Sequence, residues 1–93
     1  MKDLEIKVQA CNLSESLVRN INDNFLNISF DLLNNGNIKV KIILDKLTEI
    51  EKEYINEISG EFESKQLSDI VEEFEISTEK NSVPLRNIVY KLS

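Results

Sequence analysis

Two apolar alternations flank the tetrapeptide Asn34-Asn35-Gly36-Asn37, and together they leave this chain few ways to fold. Ile28, Phe30 and Leu32 alternate with Ser29 and Asp31. Ile38, Val40 and Ile42 alternate with Lys39 and Lys41, and Leu44 keeps the same parity. Period-two patterning with one apolar face marks a half-buried strand, and an Asn/Gly cluster between two such runs marks a hairpin. The faces also constrain register. A two-residue turn at Asn35-Gly36 pairs Leu33 with Ile38 and puts Asp31 opposite Val40 on one face. A three-residue loop, Asn34 to Gly36, pairs Leu32 with Ile38, Phe30 with Val40 and Ile28 with Ile42, and gives Gly36 the left-handed position of a G1 bulge. The second register is expected, because a one-residue slip turns every side chain over. It also sets Asp31 opposite Lys39 on the outer face, a favourable cross-strand pair.

The flanking segments read more loosely. Leu4, Ile6, Val8 and Ala10 alternate with Glu5, Lys7 and Gln9, which predicts a first strand. A helix is expected next, with Ser14 as N-cap, Leu13 stapled onto Val18, and Leu17, Val18, Ile21 and Phe25 at helical spacing. Asn22, Asp23 and Asn24 favour its termination. After the hairpin, Thr48-Glu49-Ile50-Glu51 is a capping box. The second helix is expected to turn Ile50, Tyr54, Ile55 and Ile58 to the core and to end at Gly60 as its C′ residue. Glu61 to Ser68 reads either as a loop or as a second, broken helix using Phe62, Leu67 and Ile70. Phe74 and Ile76, alternating with Glu73, Glu75 and Ser77, predict a fourth strand. In the tail, Pro84 in a first turn behind Ser82 favours a helix. The β-branched pair Ile88-Val89 and Tyr90 favour a strand, which is preferred, joined to the fourth by a hairpin across Glu79 to Val83.

The expected architecture is therefore α+β. It is a four- or five-stranded antiparallel sheet with two helices on one face, in the order β-α-β-β-α-β plus a terminal element, a ferredoxin-like type of sandwich. Ninety-three residues suit one domain spanning 1–93, with one core and little beyond it. A single cysteine, Cys11, excludes an internal disulfide, and no apolar run approaches the roughly 20 residues of a membrane span. Met1 to Val8 mixes charge and hydrophobe as no signal peptide does, so a cytoplasmic protein is expected. The chain has no histidine, which removes the usual general base and the commonest transition-metal ligand. With glycines only at 36 and 60 there is no glycine-rich phosphate loop. No cofactor, no metal and no catalytic activity are expected.

Function has to be sought in where the acid sits. Residues Asp45 to Lys80 hold twelve carboxylates against four lysines, a balance of −8, while the remainder is +2, giving the net −6. A concentrated negative surface selects basic partners and repels phosphate backbones. Candidate partner-binding residues are Glu49, Glu53 and Glu57, an i, i+4 row on the second helix; Glu61, Phe62 and Glu63; Asp69; and Glu72, Glu73, Glu75 and Glu79 along the fourth strand.

Each has a plainer reading beside it. A charged helix row is commonly a solvated face, and like charges at i, i+4 cost about 0.2–0.5 kcal/mol per pair. Charge on a strand edge discourages aggregation, although lysine would serve equally and every charge in the Glu73, Glu75, Glu79 row is acidic. Phe62 between two glutamates reads first as a core aromatic; exposed, it would anchor a basic partner. Paired carboxylates here lack the glycine and ligand spacing of a calcium loop. The expected outer sheet face, Glu5, Lys7, Ser29, Asp31, Lys39 and Lys41, offers no aromatic on which a base could stack, so nucleic-acid binding is disfavoured. Cys11 has no cationic neighbour in sequence and reads as buried or inert.

These features suit a small acidic inhibitor of the immunity or antitoxin type, occluding the basic cleft of a toxin, most naturally a nuclease. A phage-encoded inhibitor of a host nucleic-acid machine would use the same charge mimicry. A self-associating structural or regulatory domain, such as a homodimer joined at sheet edges, would treat the acid as solubility.

Overall fold

A computed structural model of the protein describes residues 2–66, 70–79 and 81–92. The elements are α1 (Lys2–Leu17), β1 (Phe25–Leu32), β2 (Ile38–Leu44), α2 (Glu49–Ser64), β3 (Glu72–Ser77) and β4 (Asn87–Lys91). The β1–β2 hairpin has the register its apolar faces require: Leu32↔Ile38, Phe30↔Val40 and Ile28↔Ile42 are partners, with Asp31↔Lys39 outside. Its loop closes through Leu33, whose N–H donates to the Asn37 carbonyl at 2.8 Å and whose carbonyl accepts from the Gly36 N–H at 3.0 Å. Gly36 sits at φ 86°, where a side chain would be strained. A register shift between Phe25 and Asn27 lets Phe25 share the inward face with Ile28.

The fold is α+β, with both helices on one face of a four-stranded sheet of order β3-β2-β1-β4. That sheet is mixed rather than purely antiparallel. β1 pairs antiparallel with β2 and with β4, whereas β3 lies parallel to β2. A parallel neighbour needs a crossover, and α2 is that crossover. Leu13 and Leu17 of α1, Ile58 and Phe62 of α2, and the inward residues of β1 and β2 form one core.

Three expectations are overturned. The segment 4–10 is helix, not strand. Its period-two pattern coexists with a helical one, in which Ile6, Ala10, Leu13 and Leu17 line one face; that face packs on the core, while Leu4 is left 65% exposed. Short apolar runs do not discriminate the two periods, and nothing in residues 2–17 breaks a helix. The helix expected over 14–25 therefore ends early, at Leu17, and Arg19 in the turn just beyond takes the left-handed φ of 68°. Phe25 then opens β1. The element order is α-β-β-α-β-β in place of β-α-β-β-α-β plus a terminal element.

Second, Gly60 lies inside α2, which continues to Ser64, so Glu61 to Ser64 are helical. Ile50, expected inside, is 56% exposed. Its place at the N-terminal end is taken by Glu51, buried with its charge fully hydrogen-bonded.

Third, β3 and β4 form no hairpin; they lie on opposite edges of the sheet. Of the connection between them, the described residues 81–86 cross the outer face. They are tied down where the Lys41 ammonium donates to the Val83 carbonyl (2.7 Å), the Leu85 N–H to Ser29 Oγ (2.8 Å) and the Arg86 N–H to Asp31 Oδ1 (3.0 Å). Beneath this strap Ser29 and Ile43, both on the outer parity, are buried. Among the described residues no helix is long and apolar enough to cross a membrane.

Candidate functional site: an acidic rim around one sheet edge

The rim starts at the N-terminus of α2. Thr48 caps it, and Glu51 reaches back to accept the Thr48 N–H at 2.6 Å and the Thr48 hydroxyl. The other Glu51 oxygen accepts from Asn22 Nδ2 (2.7 Å) and Asn24 Nδ2 (3.1 Å). These bonds, first the one from the Thr48 side chain and then those from Asn22 and Asn24, hold the Glu51 carboxyl down at about 2. This carboxylate is spent inside the fold, fastening α2 to the turn before β1.

With Glu51, Ile58 and Phe62 buried, the opposite side of α2 faces solvent. Glu49, Glu53, Glu57 and Glu61 are all exposed there. Glu49 has an exposed i, i+3 partner in Lys52 at 3.3 Å, which is worth little. Glu61 accepts from Asn20 Nδ2 at 3.3 Å. Among the described residues no cation lies within ion-pair distance of Glu53 or Glu57.

The rim turns the corner at Glu63 and Glu72. Glu72 occupies the inward parity at the start of β3, in register with Ile38. Burial pushes its carboxyl upward, and the charge of Glu63 adds to that. Its Oε1 is buried without a hydrogen-bond partner among the described residues. On the outer face of β3, Glu73 is in register with Lys39 and Glu75 with Lys41. Glu75 is not free: Lys39 reaches it at 3.0 Å and Lys41 at 3.5 Å. The hydrogen bond from Lys39 holds the Glu75 carboxyl below its ordinary range and, reciprocally, raises the Lys39 ammonium. Glu79 is exposed just past β3, its N–H donating to Ser77 Oγ at 3.2 Å.

The predicted carboxylates thus fall in two groups, a row on α2 whose far end at Glu61 turns toward Asn20 beyond α1, and Glu72, Glu73 and Glu75 on β3, with Glu63 close enough to Glu72 to link them. They do not form one flat patch. Phe62 is the clear correction: it is 0% exposed, packed in the core, and cannot meet a partner. Asp69 lies outside the described residues. Glu5 and Lys7, expected on the sheet, belong to α1, and the outer sheet face is crossed by the strap.

Sequence reasoning missed Glu51 as a buried group. The capping box announced its bond to Thr48 but not the two asparagines that bury it. It also missed the Lys39–Glu75–Lys41 bridge, which depends on the parallel pairing of β3. A groove of about 660 Å³, lined by Leu4, Val8, Leu32 and Ile38 with Gln9 and Gln66, lies between α1 and the hairpin tip. The two glutamines bridge reciprocally at 2.8 and 3.0 Å, and only Glu5 and Lys65 among its lining residues carry charge. Among the described residues no group of three His, Cys, Asp or Glu side chains could hold a metal ion. No protein-family model and no curated protein matches the sequence.

Proposed function

We propose that this protein is a stoichiometric inhibitor of the immunity or antitoxin type, which seats its β3 edge in the basic cleft of a toxin, in the first instance a nuclease. The observation that carries this reading is the set of exposed carboxylates on α2 and on and just past β3, with Glu53 and Glu57 lacking any ion-pair partner among the described residues. An edge bearing acid on both flanks is a wedge, and a nuclease cleft is a groove built to hold phosphates from two sides. Carboxylates in the places of phosphates would occlude substrate without any chemistry. Steering by the −8 segment would speed encounter, and the contacts made on closing would set the lifetime. Charge mimicry against a host nucleic-acid machine would use the same rim, and the partner's identity separates the two.

The structure also selects the residues to test. Reversing Glu75 would break the bridge to Lys39 and Lys41, so its effect on binding would mix with an effect on the fold. Glu53 and Glu57 stand clear. Affinity capture from the native host at low salt, eluted with a salt gradient, is expected to release one basic protein in one-to-one ratio, whose nuclease activity the chain suppresses. The Glu53→Lys/Glu57→Lys double variant is expected to bind that protein at least about tenfold more weakly, with a shallower salt dependence and an unchanged urea midpoint. Recovery of the bait alone, or equal affinity of the double variant, would refute the reading.

A further inference from the structure

The inward row of β3 is apolar except at one place. Ile70, Phe74 and Ile76 pack against the core, and Glu72 stands between Ile70 and Phe74 on the same parity. Its register partner is Ile38, which is 0% exposed. The Glu72 side chain is half-buried, and its Oε1 is buried with no hydrogen-bond partner among the described residues. Burying a carboxylate oxygen without a partner is costly, and the group escapes that cost by binding a proton or by leaving the site. The surroundings offer no compensating charge. α2 brings Glu63, whose charge opposes that of Glu72. Lys65, at the C-terminal cap of α2, is ion-paired with Glu15 of α1 at 3.1 Å. β2 brings Ile38, and the next residue, Lys39, lies on the outer face with Glu75 at 3.0 Å. On β3 itself Glu73 and Glu75 take the outer parity, and Ile70 and Val71, which lead into the strand, are uncharged. Burial first, and the charge of Glu63 after it, push the Glu72 carboxyl upward, and its own backbone N–H offsets part of this.

We propose that Glu72 is a proton-operated latch on the sheet edge: when it is neutral β3 seats fully on β2, and when it is charged the entry of β3 works loose. Its place in the fold decides what moves. Glu72 begins β3, and the bond beside it, from the Ile38 N–H to the Val71 carbonyl at 3.1 Å, ties down the entry of the parallel pair. Among the described residues β3 has a strand on one side only, so its start can open while the β1–β2 hairpin stays closed. Opening returns the carboxylate to water. A carboxyl raised in the folded state adds stability that is complete below its ordinary 4.5 and is lost as pH rises through its folded value. The edge is therefore expected to tighten in mild acid and to loosen toward neutral pH. Glu51 acts in the opposite sense and below 4.5, so the two groups act in separate pH windows. The latch does not depend on the inhibitor reading.

Two titrations of the full chain test it. Carbon-13 NMR of the glutamate carboxyls is expected to show Glu72 titrating above the ordinary range, with Glu63→Gln bringing it part of the way back. Hydrogen exchange, corrected for intrinsic rates, reads the edge itself. Protection of the Ile38 amide is expected to fall between about pH 4.5 and about pH 7.5, by about tenfold for each pH unit by which the Glu72 carboxyl is raised, while amides of the β1–β2 ladder hold. Glu72→Gln keeps the shape and cannot ionise, so its Ile38 protection is expected to stay level over that range. Glu72→Leu, which completes the apolar row, is expected to do the same and to raise the urea midpoint at neutral pH. A Glu72 that titrates in the ordinary range, or Ile38 protection that falls with pH as steeply in Glu72→Gln and Glu72→Leu as in the wild type, would overturn the proposal.

Discussion

Phe62 separates two accounts of the acidic segment, and truncating it gives the sharpest test of the fold. It sits between Glu61 and Glu63, where an exposed ring would be an interface anchor, yet it is 0% exposed among Leu13, Leu17, Ile58 and the inward residues of the sheet. Phe62→Ala removes a fully buried ring. The cost combines lost transfer energy with the cavity left behind, about 3–5 kcal/mol. Against a total stability of about 5–15 kcal/mol for a domain, that is from about a fifth of it to all of it. At about 4–8 °C per kcal/mol for a chain of this size, the melting temperature should fall by at least about 12 °C. With a urea slope of about 1–3 kcal/mol/M, the midpoint should drop by at least about 1 M. The assay is urea unfolding followed by circular dichroism, with Phe62→Leu expected to fall between wild type and Phe62→Ala because it refills part of the space. An exposed anchor would behave otherwise, since surface substitutions usually stay within about 0.5 kcal/mol. A Phe62→Ala midpoint equal to wild type, at equal slope, would refute the packing described here.

Glu51 predicts an acid limb in the stability curve. Its folded carboxyl is held down at about 2 from an ordinary 4.5, so the stabilisation is complete above about 4.5 and is lost as pH falls toward 2. Urea midpoints measured from pH 6 to pH 2 should decline through that window, and Glu51→Gln should lower the midpoint at pH 6 and flatten the decline; an equally steep acid limb in the variant would place its origin elsewhere. Gly60 lies within α2 and a Cβ there meets nothing within 4 Å. Gly60→Ala should therefore stabilise the domain by about 0.5–1 kcal/mol, read as a higher urea midpoint, and a lower midpoint would mean that this helical turn needs the glycine.

How much of this was legible in the sequence depends on the range of the interactions that decide it. The hairpin was readable to the residue because its register is set by local parity and by one glycine. The cap of α2 was readable for the same reason. The first helix was misread because Leu4, Ile6, Val8 and Ala10 satisfy both periods, and only packing against Leu13, Leu17 and the sheet chooses between them. The pairing of β3 with β2, and of β4 with β1, depends on which flank the crossover leaves vacant, and no local pattern carries that information. The acidic band was visible as composition. Its division into solvent-facing Glu53 and Glu57, ion-paired Glu75 and buried Glu51 came only from the neighbours that tertiary structure supplies.

The strap across the sheet has a consequence for how the chain is made. β1 and β2 can zip together as soon as both have been synthesised, but the other flank of β1 waits for β4, which follows about 40 residues later, past α2, β3 and the strap. At about 5–20 residues per second, roughly 2–8 s pass in which Ile28 and Phe30 sit on a strand with one unsatisfied side. The contact Asn27↔Lys91 then closes a loop spanning most of the chain, the kind of distant closure that slows folding. The nascent chain is therefore most exposed to mispairing just before its last strand arrives, and the interval between hairpin and closure is when a chaperone would find it.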